Sequence, residues 1–338
     1  NSLWYNLMPI GSSGALSFSD IQTEFGGSNP IALSEYYAGG SNVPTGATGD
    51  NGAVPSSGEI AISKFRGTSN VVDIALTISS TVQNYNIYAN RGGTYSAGAS
   101  NITLTINAIV GSASSSQYAL DTGNQWSAGD TIKIINNNQI IGCGGAGGAG
   151  AQNQGGQAQW PGSAGSGGGS AINLGFDTTI QNNGGFIRGA GGGGGGGGAA
   201  SADESTSKGS NIQYVAGGGG AGGAGQNGGS GGAGGQDQTG SSYHGQAGQS
   251  GMTIGGTGGA GGAAGETGNQ ATGGAGGGGG NYGFAGVAGQ TGSGRNNSDF
   301  GISQGAGGAG GAAGKAINLG GNTLTWEDGN TNVQGAVS

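Results

Sequence analysis

The chain has 338 residues, of which 91 are glycine, and only 7% of its residues are charged. Its net charge of −8 offers no basic stripe for nucleic acid and no polybasic surface for anionic lipid. A single histidine and a single cysteine exclude an internal disulfide, a Cys/His nucleophile pair and a multi-ligand zinc site. Composition therefore predicts no cofactor, no metal, no nucleic-acid partner and no membrane insertion.

The first 70 residues contain a duplicated motif. Ser13–Ile21 and Ser57–Phe65 share a Ser-Gly start, alternating apolar positions and a later serine. Ser19 followed by Gln22 has the pattern of an N-cap and its capping-box partner, which predicts a short helix ending at Phe25.

An apolar leader precedes this motif at residues 3–8. It is too short to cross a membrane, and it lacks the basic start and long apolar stretch of a signal peptide. Docking to another protein is the better hypothesis for it. The candidate attachment side chains of the first 70 residues are Leu3, Trp4, Tyr5, Leu7, Phe18, Phe25, Tyr36 and Tyr37.

Residues 71–141 have the pattern of β-structure. β-branched and apolar residues alternate with polar ones at 74–78, 102–106 and 131–135. This period of two predicts a small β domain that ends in the Asn-rich turn of residues 135–142.

Related Asn-rich turns recur at 180–189 and 326–335. Both are preceded by the same pentapeptide, Ala-Ile-Asn-Leu-Gly, at 171–175 and 316–320. Internal repetition implies a repeated structural unit. We expect these strand-turn units to cover the end of the glycine-rich region nearest the β domain, with 315–338 as a closing segment.

Glycine is concentrated in a block at 142–314. Pairs of glycine followed by one small residue recur every three positions, and a period of three is typical of the polyproline II conformation. Disorder is the alternative for such a composition, but charged residues and proline are scarce, and collagen would need one glycine per triplet and abundant proline. The block therefore predicts packed polyproline II helices, with glycines facing neighbours and the third position free on the outer helices.

Five irregular segments interrupt the glycine, at 152–160, 201–215, 236–254, 266–272 and 281–304. Aromatic residues on small polar loops are typical of binding surfaces, although capping of helix ends is an equal alternative for any one of them. Helices of about 9 residues would span about 28 Å, so alternate loops should emerge at opposite ends. The candidate receptor-binding residues are Trp160, Tyr214, Tyr243, His244, Met252, Tyr282, Phe284, Arg295 and Phe300.

Enzymatic readings of the sequence are weak. A Ser-His-Asp arrangement would have to use His244 and Asp237, and a lone histidine in a Gly/Ser loop is more often a surface contact. Gly-x-Gly-x-x-Gly carries no weight in so glycine-rich a chain, and Gly314-Lys315 lacks the hydroxyl residue of a phosphate-binding loop. The chain is predicted not to be an enzyme.

Two features together resemble a known family. The Ser-Gly-x-Ile/Leu-x-x-Ser motifs, including residues 20–27, resemble a module at the start of bacteriophage tail proteins. Asn-rich turns leading into glycine runs that alternate with irregular loops resemble the glycine-rich phage tail adhesins, including the distal tail-fibre adhesins of T-even-like phages. The resemblance implies a sandwich of polyproline II helices, loops that determine the bacterial receptor, and an N-terminal region that attaches to the fibre.

These expectations define the predicted architecture: a mainly β N-terminal region, then a glycine-rich polyproline II helix sandwich with exposed loops, and almost no α-helix. The predicted divisions are a tail-attachment module at 1–70, a β domain at 71–141, the lattice with receptor-reading loops at 142–314 and the closing segment at 315–338. The expected partners are an outer-membrane protein or surface glycan of the host and other tail proteins, and the expected location is the virion tail. The alternative is a structural or ice-binding glycine bundle.

Overall fold

The computed structural model describes residues 10–152, 160–206, 209–236, 244–253, 255–256, 263–266, 269–295, 303–328 and 330–338. Within these ranges the chain is mostly β, with very little helix. No helix in the described ranges is long and apolar enough to cross a bilayer. The helices are α1 (Phe18–Phe25) and three 3-10 turns, Leu33–Tyr36, Ile62–Phe65 and Tyr88–Asn90.

The strands, in chain order, are β1 (Thr48–Gly49), β2 (Gly52–Ala53), β3 (Val72–Ile78), β4 (Val82–Gln83), β5 (Tyr85–Asn86), β6 (Ser100–Ile106), β7 (Val110–Gly111), β8 (Leu120–Asp121), β9 (Thr131–Asn136), β10 (Gln139–Ile141), β11 (Ile172–Asn173), β12 (Thr178–Gln181), β13 (Phe186–Arg188), β14 (Ala200–Thr206), β15 (Gly209–Val215), β16 (Ala263–Glu266), β17 (Asn269–Thr272), β18 (Ser293–Arg295), β19 (Ser303–Gln304), β20 (Ile317–Asn318), β21 (Leu324–Asp328) and β22 (Val333–Gln334).

Residues 10–70 form a module with its own apolar core. The duplicated motif places Ile21 and Phe65 at equivalent positions, and both side chains are fully buried. The ring of Phe65 also packs edge-on against Phe25 and Tyr36. The shared pattern therefore reflects a shared core position.

The N-cap of α1 is Ser17, not the predicted Ser19. The Ser17 side chain accepts a hydrogen bond from the backbone N–H of Asp20, and the Asp20 carboxylate accepts one from the Ser17 N–H at 2.7 Å. Aspartate thus replaces the expected Glu or Gln as the reciprocal partner, and the helix starts two residues earlier. These bonds lower the pKa of Asp20, since they favour its charged form.

Three parallel sheets form a solenoid after this module. Their strand orders are β21-β12-β9-β6-β3, β22-β13-β10-β7-β4 and β20-β11-β8-β5. One strand from each sheet, taken in chain order, makes one coil, so that β3, β4 and β5 form the first coil and β6, β7 and β8 the second. The strands predicted at 74–78, 102–106 and 131–135 are present, and the sheets continue beyond residue 141 into 172–188 and 317–334.

The solenoid interior is a stack of equivalent apolar side chains. In the first sheet, Leu76, Leu104, Ile134, Ile180 and Trp326 occupy one row of in-register positions across five strands. Residues of the three sheets belong to one buried cluster. Period-two alternation therefore directs one side of each strand inward.

The glycine block is inserted at one corner of this solenoid. The second and third sheets are joined in the first coil by the single residue Asn84, but in the third coil by residues 142–171 and in the fourth by 189–316. The repeated pentapeptide provides β11 and β20, which pair in parallel on either side of the long insertion. The two insertions thus occupy the same corner of two neighbouring coils.

The insertions contain extended segments outside any sheet. Nine lie in the described part of the chain, and we number them in order as glycine segments: 142–151, 160–169, 189–199, 216–225, 227–236, 244–252, 273–281, 284–292 and 305–314. Together they form the glycine lattice. Their backbone N–H groups donate to carbonyls of other segments with N···O distances of 2.7–3.1 Å.

The third glycine segment shows the bonding rule most fully. The N–H groups of Gly191, Gly192 and Gly193 donate in turn to the fourth, eighth and second segments, and the next residues repeat this cycle. The three carbonyls accept in turn from the first, seventh and ninth segments. The segment thus has six neighbours, and its backbone polar groups are satisfied between segments.

Glycine content follows the number of neighbours. In the third segment, residues 191–198 are all buried glycines. In the ninth, two residues in three are glycine, and the third position, held by Ala306, Ala309 and Ala312, is exposed. In the sixth and eighth segments about one residue in three is glycine, and in the second segment five residues in ten are glycine. A methyl group at most inward glycines would overlap a neighbouring backbone carbonyl, so larger side chains are confined to outer faces, and the buried side chains of the fourth segment are methyl groups, such as those of Ala221 and Ala224.

Candidate receptor-binding tip

Segment direction determines where each connection lies. The first and third segments run parallel, since Gly145, Gly148 and Ala151 donate to Gly191, Gly194 and Gly197 in the same order. The fourth segment runs the opposite way, and odd and even segments alternate along most of the lattice. Connections therefore emerge alternately at the solenoid end and at the far end, which we call the tip.

Two connections at the solenoid end are short turns. Asn227, the first residue of the fifth segment after the turn from the fourth, donates its side-chain amide to Ser112 O at 3.0 Å. Gly283, in the turn between the seventh and eighth segments, donates its N–H to Gly189 O at 2.8 Å. The bond from Asn227 fastens the lattice to the solenoid, and the bond from Gly283 fixes its turn to the start of the third segment.

Connections at the tip are longer and carry their own strands. Two three-stranded sheets, β15-β14-β19 and β16-β17-β18, lie there. β14 contacts both β17 and β18, and Ala200, Val215 and Ala271 form a small buried cluster. The ends of the first and second segments at Ala151 and Trp160, and those of the fifth and sixth at Gly235 and His244, also lie at this end. Five connections therefore share one tip.

Several predicted receptor-binding residues belong to this tip. Trp160 is half-buried at the start of the second segment, and its carbonyl accepts a hydrogen bond from Ala199 N at 3.1 Å. Tyr214 is half-buried on β15, and His244 is half-buried at the start of the sixth segment. Arg295 is the last residue of β18, opposite Gln270 of β17. Tyr243 and Phe300 lie outside the described residues.

Three other predicted residues lie at the solenoid end. Met252 ends the sixth segment, and its carbonyl accepts from Gly225 N at 2.8 Å. Tyr282 and Phe284 flank Gly283. The predicted loops 236–254 and 281–304 therefore each combine a tip connection, a lattice segment and a solenoid-end turn, because their outer segments contain too little glycine to be recognised. Met252 and Phe284 are 69% exposed, but they lie at the end of the lattice opposite the tip.

Tyr282 has a structural partner. The guanidinium of Arg188, on β13, lies 4.9 Å from the Tyr282 ring centre and 3.9 Å from that of Phe186. Burial raises the pKa of Tyr282, and the positive charge of Arg188 opposes that shift. The contact attaches the turn to the second sheet, and Arg188 carried no recognisable sequence signal.

The candidate attachment residues of the N-terminal module fall into buried and exposed groups. Phe25 and Tyr36 lie in the core of the module, so their role is packing rather than contact with a partner. Tyr37 donates its hydroxyl to Gly58 O. Phe18 is 42% exposed and stays available for contact. Leu3, Trp4, Tyr5 and Leu7 lie outside the described residues.

Sequence reasoning missed a third copy of the N-terminal motif. Ile31–Tyr36 repeats Ile60–Phe65 in the order apolar, Ala, apolar, Ser, charged and aromatic. Each copy ends in a 3-10 turn whose last aromatic residue is buried. The absence of a preceding Ser-Gly pair concealed it.

The residues considered for catalysis do not form a described site. Asp237 lies outside the described residues. Cys143 is buried, donates its thiol to Asn227 O at 3.2 Å, and has a raised pKa because of burial. No group of three potential metal ligands occurs among the residues that the structure describes.

Comparison with known proteins identifies the class of this chain. Residues 73–338 match the family model described as phage tail fibre adhesin Gp38. The chain belongs to this family of phage tail fibre adhesins, which places it in the virion tail and gives it a binding role. No curated protein matches.

A solved structure is also similar: the gp37-gp38 adhesin tip complex of the bacteriophage S16 long tail fiber. The identity is 19% and the TM-score 0.43, over 97% of this chain and 100% of that chain. A TM-score this low carries no structural detail from one chain to the other.

Proposed function

We propose that this chain recognises a receptor on the bacterial host through the five tip connections, and that the receptor is an outer-membrane protein. The observation that carries the proposal is the segregation of connections in the glycine lattice. Long, aromatic-bearing connections lie at the tip, whereas short turns fasten the opposite end to the solenoid. A rigid scaffold that presents variable loops at one end is suited to recognition.

The lattice in this proposal is a sandwich of polyproline II helices. A helix with three residues per turn directs successive N–H groups 120° apart, which suits the cycle of three acceptors around the third segment. Nine residues of such a helix span about 28 Å, so the tip stands about that far from the solenoid end. Such a lattice would be rigid, because its backbone groups are densely hydrogen-bonded and its interior contains hardly any side chains that could change rotamer.

The N-terminal module would dock to the tail or fibre. It precedes the region matched by the family model and has its own core, so it is a separate folding unit. Phe18, exposed on α1, and the apolar leader are the candidate contacts. A purely structural or ice-binding bundle is the second candidate, but the sequences of the tip connections do not repeat as a regular ice-binding face would require.

Adsorption to host cells tests the recognition step. Residues 237–243 should be replaced by a Gly/Ser loop of equal length, which leaves the fifth and sixth glycine segments intact. Phe284→Ser at the solenoid end is the matched control, because it also removes an exposed apolar surface. We expect saturable binding of the native chain that competes with phage infection, loss of binding in the loop variant and full binding in the control.

Two outcomes would contradict the proposal. Equal loss of binding in both variants would move the receptor surface away from the tip. Absence of any binding to susceptible cells, with circular dichroism showing a folded chain, would favour a purely structural tail component.

A further inference from the structure

A row of polar side chains runs along the outer surface of the third sheet. Asn86, Asp121, Asn173 and Asn318 occupy equivalent positions on four neighbouring parallel strands. Asn318 donates to Oδ1 of Asn173 at 2.8 Å, and Asn173 donates to Oδ1 of Asp121 at 3.0 Å. Asn86 donates to Oδ2 of Asp121 from the other side at 3.1 Å. We call this row the amide ladder.

The hydrogen bonds of the ladder fix the orientation of its asparagine amides. The Lys315 ammonium donates to Oδ1 of Asn318 at 2.9 Å, so the donors run from a cation at one end towards the Asp121 carboxylate. Each asparagine amide carries two N–H donors. In the described part of the chain, the hydrogen bonds of the ladder use one donor each from Asn86 and Asn173, so each amide has a second N–H donor to offer to a ligand. Neighbouring strands repeat these donors at about 4.8 Å.

Two clefts adjoin the ladder and share Asn86 and Asp121. One has a volume of about 480 Å³ and is walled by the exposed residues Asn124 and Gln125. The other has a volume of about 280 Å³ and is walled by the loop that ends at Tyr118. The larger volume is within the range of small-ligand sites.

We propose that these clefts bind a neutral saccharide. Sugar hydroxyls both donate and accept, and the ladder offers fixed amide donors together with the Asp121 carboxylate as acceptor. Tyr118 is 36% exposed and presents an aromatic face on which a sugar ring can stack. Asp121 is the charged residue among the described lining residues and the chain is acidic overall, which disfavours phosphorylated or acidic sugars.

This cleft lies on the solenoid, whereas the proposed protein receptor is bound at the tip. The two sites would give the adhesin two independent contacts with a bacterial surface, one to polysaccharide and one to protein. A chain with two linked contacts binds more tightly than either contact allows alone, provided that both can be engaged together.

An oligosaccharide array with saturation-transfer NMR tests the cleft. The probes are neutral oligosaccharides of hexose, 6-deoxyhexose and N-acetylhexosamine units, with phosphorylated and carboxylated sugars alongside them. The test variant is Tyr118→Ala with Gln125→Ala, which changes the cleft walls and leaves the four ladder side chains in place, although it removes the Tyr118 hydroxyl that accepts from Asn318 Nδ2 at 3.5 Å. Phe284→Ala is the aromatic control. The replacement of 237–243 by a Gly/Ser loop changes the sequence of one tip connection and leaves the cleft unchanged.

We expect the native chain to bind at least one neutral oligosaccharide. Binding should fall about tenfold or more in the cleft variant, equivalent to about 1.4 kcal/mol, and should be unchanged in the control and in the loop replacement. Binding only to charged sugars, binding unchanged by the cleft variant, or no binding to any neutral probe would each overturn the proposal. The loop replacement separates this result from that of the tip receptor.

Discussion

The substitution Gly195→Ala places a methyl group at the centre of the third glycine segment and tests how closely the lattice segments pack. Gly195 is buried, and a Cβ there would overlap the carbonyl of Gly308 in the ninth segment. The two segments are joined on either side by the bonds from Gly308 N to Gly196 O and from Gly311 N to Gly193 O, both of 2.7 Å. An ordinary carbon–oxygen contact of about 3.5 Å would require the segments to separate by more than about 1 Å, which breaks both bonds.

The magnitude follows from these contacts. Two backbone hydrogen bonds contribute about 1 kcal/mol each, and groups left buried without a partner cost about 1–3 kcal/mol more. Alanine also restricts the backbone of the unfolded chain more than glycine does, which offsets the destabilisation by about 0.4–1 kcal/mol. We therefore expect Gly195→Ala to lower the free energy of unfolding by about 2–4 kcal/mol.

Gly167→Ala makes the same chemical change where there is space. A Cβ at Gly167 would meet only Ala312 O at 3.7 Å, and the residue is exposed. Its expected effect lies between zero and about 1 kcal/mol of stabilisation. Urea unfolding gives the free energies, and hydrogen exchange of peptides from 189–200 localises the change. Equal effects of the two substitutions would refute the packing argument.

Three further predictions concern other parts of the molecule. Asp121→Ala removes the common acceptor of the amide ladder and should lower the free energy of unfolding by about 1–3 kcal/mol, as measured by urea titration. Burial raises the pKa of Glu24 above its ordinary value of 4.5, so the free energy of unfolding falls as the pH rises through 4.5 and the buried carboxyl ionises. Glu24→Gln should therefore be more stable than the native chain at pH 7 and equal to it at pH 3, as measured by thermal melting. Tyr282→Ala removes the stack on Arg188 and should cost about 1 kcal/mol in urea unfolding, with host-cell adsorption unchanged.

The insertion pattern explains how one architecture can present different tips. In the first coil a single residue, Asn84, joins the second and third sheets, whereas the third and fourth coils accommodate residues 142–171 and 189–316 at the same corner. The strands on either side of each insertion remain paired with adjacent coils. Tip connections can therefore vary without disturbing the solenoid, because the glycine lattice separates them.

Local sequence determined the elements of this protein. Period-two alternation marks the first-sheet strands, because each has one buried side. Glycine spacing marks the lattice: the enclosed third segment is glycine throughout 191–198, whereas the outer sixth and eighth segments have about one glycine in three residues. The Asn-rich turns and the repeated pentapeptide indicate equivalent positions on successive coils, because each recurs with the same local sequence.

Only the tertiary structure decided which parts meet. The pairing of β8 with β11, and of β11 with β20 across a long insertion, creates the amide ladder, and no local pattern specifies such partners. The direction of each glycine segment places the tip connections together and leaves Met252, Tyr282 and Phe284 at the opposite end. Lattice bonds join backbone groups of different segments, and backbone groups are the same in every residue, so the choice of neighbour depends on the packing of the whole chain.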